Sequence, residues 1–251
     1  MNRIPCSALL IHGLTATPSE LAPLGAALEQ EEFQISLPLL PGHGTTLQDL
    51  RVSTASEWLD SARRALASLP AGPTVIIGES LGAILGLLLT AEQRALGNTD
   101  IRASISLSLP FQFGSSLYEQ LFPLLSYLPE PLLSVPYFVQ KPTRDPRRNT
   151  HPYVSYPAHH LGSLGRVARL RRKLFRSLSL IEAPVLILQD PTESHVNPAG
   201  ARRYVKHFPQ ATLKEFPGAS HQMVCGPKSD AVIKEVLAFV LTAMRRVTDA
   251  A

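Results

Sequence analysis

The chain has 251 residues, a formal net charge of +4 and a sequence pI near 9.2. With 45% hydrophobic and only 18% charged residues it falls outside the disordered polyelectrolytes, and two cysteines, Cys6 and Cys225, are too few for a disulfide framework and fit no metal motif. No 18-residue apolar run or signal-peptide core is readable, so a cytoplasmic chain with reduced thiols, no transmembrane segment and no metal or organic cofactor is expected.

Aliphatic and amphipathic segments alternate through the first hundred residues, as they do where helices cover both faces of a parallel sheet. Residues 7–11 read as a buried strand. Thr17-Pro-Ser-Glu20 has the form of a capping box, and Leu21, Leu24, Gly25 and Leu28 share one face of the helix it opens. Residues 33–37 are the next strand. Thr54–Glu57 is a second box, before a helix with Trp58, Ala62, Leu66 and Leu69 at helical spacing. Residues 74–77 form a strand, a helix runs from there to about Leu96 with Gly97 after it, and 101–109 form another strand.

From 110 to 182 the rhythm fails. Nine of the 22 prolines lie there and no strand is readable, so this stretch is expected to be an inserted helical cap. The rhythm resumes with strand 184–189, helix 198–207, strand 212–216 and helix 228–246. Residues 1–109 and 183–251 are thus the α/β core, and 110–182 the lid.

Gly78-Glu-Ser80-Leu-Gly82 lies directly between a strand and a helix. A strand-to-helix turn of this kind strains the central residue and needs small residues two before and two after it. It exposes the Ser80 hydroxyl at the carboxyl edge of the sheet and puts the Leu81 N–H at a helix start, where it can face an oxyanion.

With this element the chain resembles the α/β-hydrolase superfamily, and within it bacterial carboxylesterases and monoacylglycerol-lipase-like serine hydrolases. The resemblance rests on Leu10-Ile-His12-Gly13-Leu14, Pro41-Gly-His43-Gly44, the Ser80 elbow, the cap position, Val196-Asn-Pro198 and Ser220-His221, in the family's order. It implies an oxyanion hole of the Leu14 and Leu81 N–H groups and a general base at His221. Asp190 and Glu193 both follow strand 184–189; the resemblance favours Glu193, three positions before Val196-Asn-Pro198. His12 and His43 read as structural, and His195 as an ordinary surface histidine.

The resemblance implies a serine hydrolase for carboxylic esters, working through an acyl-enzyme. Ten of the 16 aromatic residues lie within 110–182, which points to an apolar acyl chain. Thioesterase or acyltransferase chemistry and a non-catalytic ligand-binding homologue are the alternatives. The same segment holds ten Lys and Arg against four Asp and Glu, while the rest holds fourteen against sixteen. The basic pI therefore belongs to the cap, above all to the run Arg166, Arg169, Arg171, Arg172, Lys173 and Arg176 on one amphipathic helix. A solvated face is the simple reading of that run, and transient contact with an anionic membrane the sharper one. No motif supports a nucleic-acid partner.

Overall fold

The computed structural model describes residues 5–114, 117–141 and 149–248. In chain order the first half contains β1 (Ser7–Ile11), α1 (Ala22–Gln30), β2 (Gln34–Ser36), α2 (Leu47–Val52), α3 (Ala55–Ala67), β3 (Thr74–Glu79), α4 (Leu81–Ala95) and β4 (Ile101–Leu107). There follow α5 (Leu117–Leu125), α6 (Glu130–Leu133), β5 (Phe138–Gln140), β6 (Ala158–His160) and α7 (Leu161–Phe175), and then β7 (Val185–Gln189), α8 (Pro198–Tyr204), β8 (Ala211–Glu215) and α9 (Ser229–Thr248).

Six strands form one parallel sheet in the order β2-β1-β3-β4-β7-β8. The inner strands β1, β3 and β7 are nearly continuous buried runs because both faces are covered, whereas the edge strands β2 and β8 are partly exposed. Leu9, Ile11 and Ile76 enter a core completed by Trp58, Leu85 and Leu174 from α3, α4 and α7. Their neighbours Ala8, Leu10, Val75 and Ile77 point the other way, against Leu24 and Leu28 of α1 and Val232, Val236 and Val240 of α9. The two-residue strand period thus divides consecutive aliphatics between two cores.

The Thr54–Glu57 capping box is present, with both reciprocal hydrogen bonds. The Thr17–Glu20 box is not. That tetrapeptide makes a 3-10 turn, Thr17 bonds the Ser19 hydroxyl at 2.8 Å, and the Glu20 carboxylate accepts the Gly13 N–H at 2.7 Å instead of returning to Thr17. The predicted helix face is nonetheless buried at Leu21, Leu24, Gly25 and Leu28. Helix α2 escapes a reading by periodicity because it has only six residues, although Thr46 and Asp49 form a box at its start.

Two strands lie where none was readable: β5 and β6 pair antiparallel, Phe138 with His160 through Gln140 with Ala158. Three-residue strands show no alternation to read. Pro123 sits inside α5 and Pro131 in the first turn of α6, so prolines mark short helices without excluding them.

The 110–182 segment is fastened to the loops at the carboxyl edge of the sheet. The Tyr156 hydroxyl donates to the Gly42 carbonyl and accepts the Thr45 N–H, both at 2.9 Å, and the Tyr156 N–H donates to the Thr15 carbonyl. The basic face of α7 is only partly solvated. Arg166 is fully buried against Glu130, Arg169 pairs with the same carboxylate, and Lys173 reaches Glu92.

Candidate active site

β3 stops at Glu79 and α4 starts at Leu81, which leaves Ser80 alone to turn the chain. Its φ of 54° and ψ of −111° lie outside the favoured regions for an L-residue. A Cβ on Gly78 would lie 2.2 Å from the Gly82 carbonyl carbon and oxygen, and one on Gly82 would lie 1.8 Å from the Ile11 oxygen. Both flanks must therefore be glycine. The Ser80 N–H donates to the Leu107 carbonyl at 2.9 Å, tying the turn to the end of β4.

The β1 exit loop lies against this turn: a Cβ on Gly13 would be 3.5 Å from the Ser80 Cβ. The Glu20 bond to the Gly13 N–H anchors the loop one residue before Leu14. Leu81 opens α4, where the first N–H groups of a helix lack intrahelical acceptors. His12 and His43 brace the loops behind. His12 Nδ1 bonds the Gly13 carbonyl and its Nε2 accepts the Leu40 N–H, while His43 Nδ1 bonds the Pro41 carbonyl. Burial lowers His12 to a pKa of about 3 and His43 to about 4, so both rings are neutral hydrogen-bonding parts.

His221 comes to the same edge from the loop after β8. Ser108, next to the residue that accepts the Ser80 N–H, donates its hydroxyl to the His221 carbonyl at 2.7 Å. Glu79, beside the serine, accepts the Met223 N–H at 2.5 Å. Leu107 and Ser108 at the end of β4 and Glu79 at the end of β3 thus hold the elbow and the histidine loop together.

His221 Nδ1 lies 3.1 Å from Glu193 Oε1. That carboxylate is nearly buried and also accepts the His195 and Val196 N–H groups at 2.8 and 3.2 Å and the Gln189 amide at 3.2 Å. Burial alone would raise its pKa, but the adjoining His221 and the His195 and His221 hydrogen bonds outweigh it and hold the carboxyl well below the usual range. Asp190 has a different task. It accepts the Gly218 and Ser220 N–H groups at 3.1 and 2.8 Å, where Ser220 has a φ of 73°, and so holds the bend that presents His221.

Three residues near the site were not read as part of it. His195 stacks on His221 at 5.2 Å and lies 3.5 Å from Glu193 Oε2; its only sequence signal is its place two residues after Glu193. Glu20 and Glu79 are buried acids gripping backbone at the Gly13 loop and at Met223, and an acidic residue inside an otherwise apolar strand end was the available signal for Glu79. Beneath them Cys225 donates to the Glu20 carbonyl, and burial with the two acids pushes its thiol up to about 12, a packed group and not a nucleophile. Neither cysteine is in a disulfide, and among the described residues no group of three or more His, Cys, Asp or Glu is placed to hold a metal.

The alpha/beta hydrolase family model matches residues 8–235. The chain belongs to the alpha/beta hydrolase family. It is 27% identical over 218 residues to the thermostable monoacylglycerol lipase of Bacillus sp. (strain H-257), spanning 84% of this hydrolase and 80% of that relative. A solved structure of the metagenome-derived lipolytic enzymes LipS and LipT superposes with a TM-score of 0.80 at 17% identity, over 94% of each chain. The monoacylglycerol lipase of Paleococcus ferrophilus superposes at 0.74 with 17% identity, again over 94% of each. These structural likenesses are of fold.

Proposed function

We propose that this hydrolase cleaves carboxylic esters with an apolar acyl chain, in the manner of a carboxylesterase or monoacylglycerol lipase, with Ser80, Glu193 and His221 as its catalytic triad. The observation that carries the reading is the Glu193–His221 hydrogen bond at the edge where Ser80 is held in its strained turn. The similarity to the Bacillus monoacylglycerol lipase supports the substrate class.

In this mechanism Ser80 Oγ attacks the ester carbonyl while His221 Nε2 takes its proton. The negative oxygen is met by the Leu14 and Leu81 N–H groups, since backbone donors need little reorganisation. His221 returns the proton to the departing alcohol, leaving an acyl-Ser80. Water, deprotonated by His221, then releases the acid and restores the serine. Glu193 keeps the Nδ1–H tautomer and stabilises the imidazolium, its ionisation secured by its hydrogen bonds. The 110–182 segment acts as the lid over the acyl chain. Contact with a lipid surface falls to its exposed apolar residues, Leu121, Leu124 and Leu132, better than to α7, whose cations are largely engaged inside the protein.

A fluorophosphonate probe is expected to label the wild type, and Ser80→Ala to abolish labelling; an unlabelled wild type would sink the serine-hydrolase reading. Rates across p-nitrophenyl esters of increasing length should peak beyond acetate. Activity confined to acetate overturns the apolar acyl pocket, and faster turnover of acyl thioesters than of matched esters would favour a thioesterase.

A further inference from the structure

A cavity of about 290 Å³ opens between the segment leaving β4 and helices α5, α7 and α8. Phe111, Phe113, Phe175 and Tyr204 line it together with Arg171 and Arg203, and none of Leu14, Ser80, Leu81, Glu193 or His221 does. Phe175 and Tyr204 stack at 4.5 Å with an interplanar angle of 15°, and Phe111 stacks on Tyr204 at 5.4 Å and 22°. The wall therefore holds a stack of Phe111, Phe175 and Tyr204; Phe111 and Phe113 are buried, and Phe175 and Tyr204 are partly exposed.

Most other cations on the same elements are engaged elsewhere. On α7, Arg166, Arg169 and Lys173 each have a carboxylate while Arg172 donates to the Ser126 hydroxyl and lies over Tyr127, and on α8 Arg202 has Glu215. Among the described residues neither Arg171 nor Arg203 has one. The Arg171 guanidinium lies 4.8 Å from the Phe113 centroid and 5.5 Å from that of Phe175, donates to the Phe111 carbonyl at 3.2 Å, and has a buried Nε without an acceptor. Burial works against its charge, lowering its pKa from the ordinary value. Arg203 lies over Tyr204 at 5.6 Å with its side chain exposed at the mouth. Two planar, weakly hydrated donors thus face one aromatic-lined space, and among the described residues neither is neutralised by a carboxylate.

We propose that this cavity is a second ligand site, separate from the serine, for a small molecule that joins a flat apolar body to an oxyanion, either a carboxylate or a phosphate ester. The partly exposed rings of Phe175 and Tyr204 take the flat body by edge or face contact, and the arginine forks take the anion. The volume lies at the lower end of small-molecule sites, which limits the occupant to about one ring and its anionic group.

Calorimetric titration of the full chain tests this without reference to catalysis. Benzoate and phenyl phosphate are the probes, with benzyl alcohol and inorganic phosphate as controls. Saturable binding of either aryl anion is expected, and which one binds identifies the anion. Arg203→Gln, at an exposed position where folding is not at stake, and Arg171→Gln are each expected to weaken binding at least tenfold, while Ser80→Ala leaves it unchanged. The proposal is overturned if neither aryl anion binds at millimolar concentration, or if a control binds as tightly as its aryl counterpart. It is equally overturned if Arg203→Gln binds like the wild type, or if binding disappears in Ser80→Ala, which would put the probe in the serine site.

Discussion

Two carboxylates leave the end of β7 three residues apart, and their partners separate their tasks. Asp190 holds backbone N–H groups of the loop that presents His221, whereas Glu193 reaches the imidazole itself. Glu193→Gln is therefore expected to lower kcat by about 10³–10⁴-fold, since a neutral amide neither fixes the tautomer nor stabilises the cation. Asp190→Asn should act through position, with roughly tenfold lower activity and a stability loss of about 1–2 kcal/mol from weakened charge-assisted bonds. Steady-state kinetics on both variants decide it: a larger loss in Asp190→Asn assigns the acid to Asp190. Glu20 belongs to the same scale. Its bond to the Gly13 N–H fixes the loop before Leu14, so Glu20→Gln should reduce kcat more than it raises KM.

Among the elements, the β3–α4 turn is the least tolerant of change. An alanine at Gly82 would drive its methyl into the Ile11 carbonyl of the neighbouring strand, where no side chain can move aside. Gly82→Ala is expected to cost at least about 4 kcal/mol or to prevent folding, measured by denaturant unfolding. Thr54→Ala removes only an exposed cap and should cost about 1 kcal/mol, or 2–4 °C in Tm. The two boxes also show where local reading stops. Thr54–Glu57 closes on itself, with the exposed Glu57 carboxylate bonding the Thr54 N–H and hydroxyl. Thr17–Glu20 has the same letters, but its glutamate finds the Gly13 N–H seven residues away, a partner that exists only once β1 and α1 have packed.

For the whole molecule, acid sensitivity follows from the buried histidines. With pKa values near 3 and 4 in the folded chain against an ordinary 6.5, His12 and His43 are protonated in the unfolded chain before the folded one. Stability is thus fully present above about pH 6.5 and declines as pH falls toward 4. Thermal unfolding across that range should show a falling Tm. His43→Asn, which cannot titrate, should flatten the slope, and an unchanged slope would assign the acid sensitivity elsewhere.

The order of the six sheet strands with their covering helices and the glycine-flanked serine were legible in the linear chain, because each rests on a short-range requirement: a period, or a turn that admits only small residues. The contact of Glu193 with His221 was expected only through the family resemblance, which the linear chain by itself left open against Asp190. The three-residue strands β5 and β6, the burial of Arg166, the contact of His195 with His221 and the aromatic cavity at Arg171 were decided by tertiary structure alone. Their partners are distant in the chain, and no local pattern records which carbonyl, carboxylate or ring will arrive.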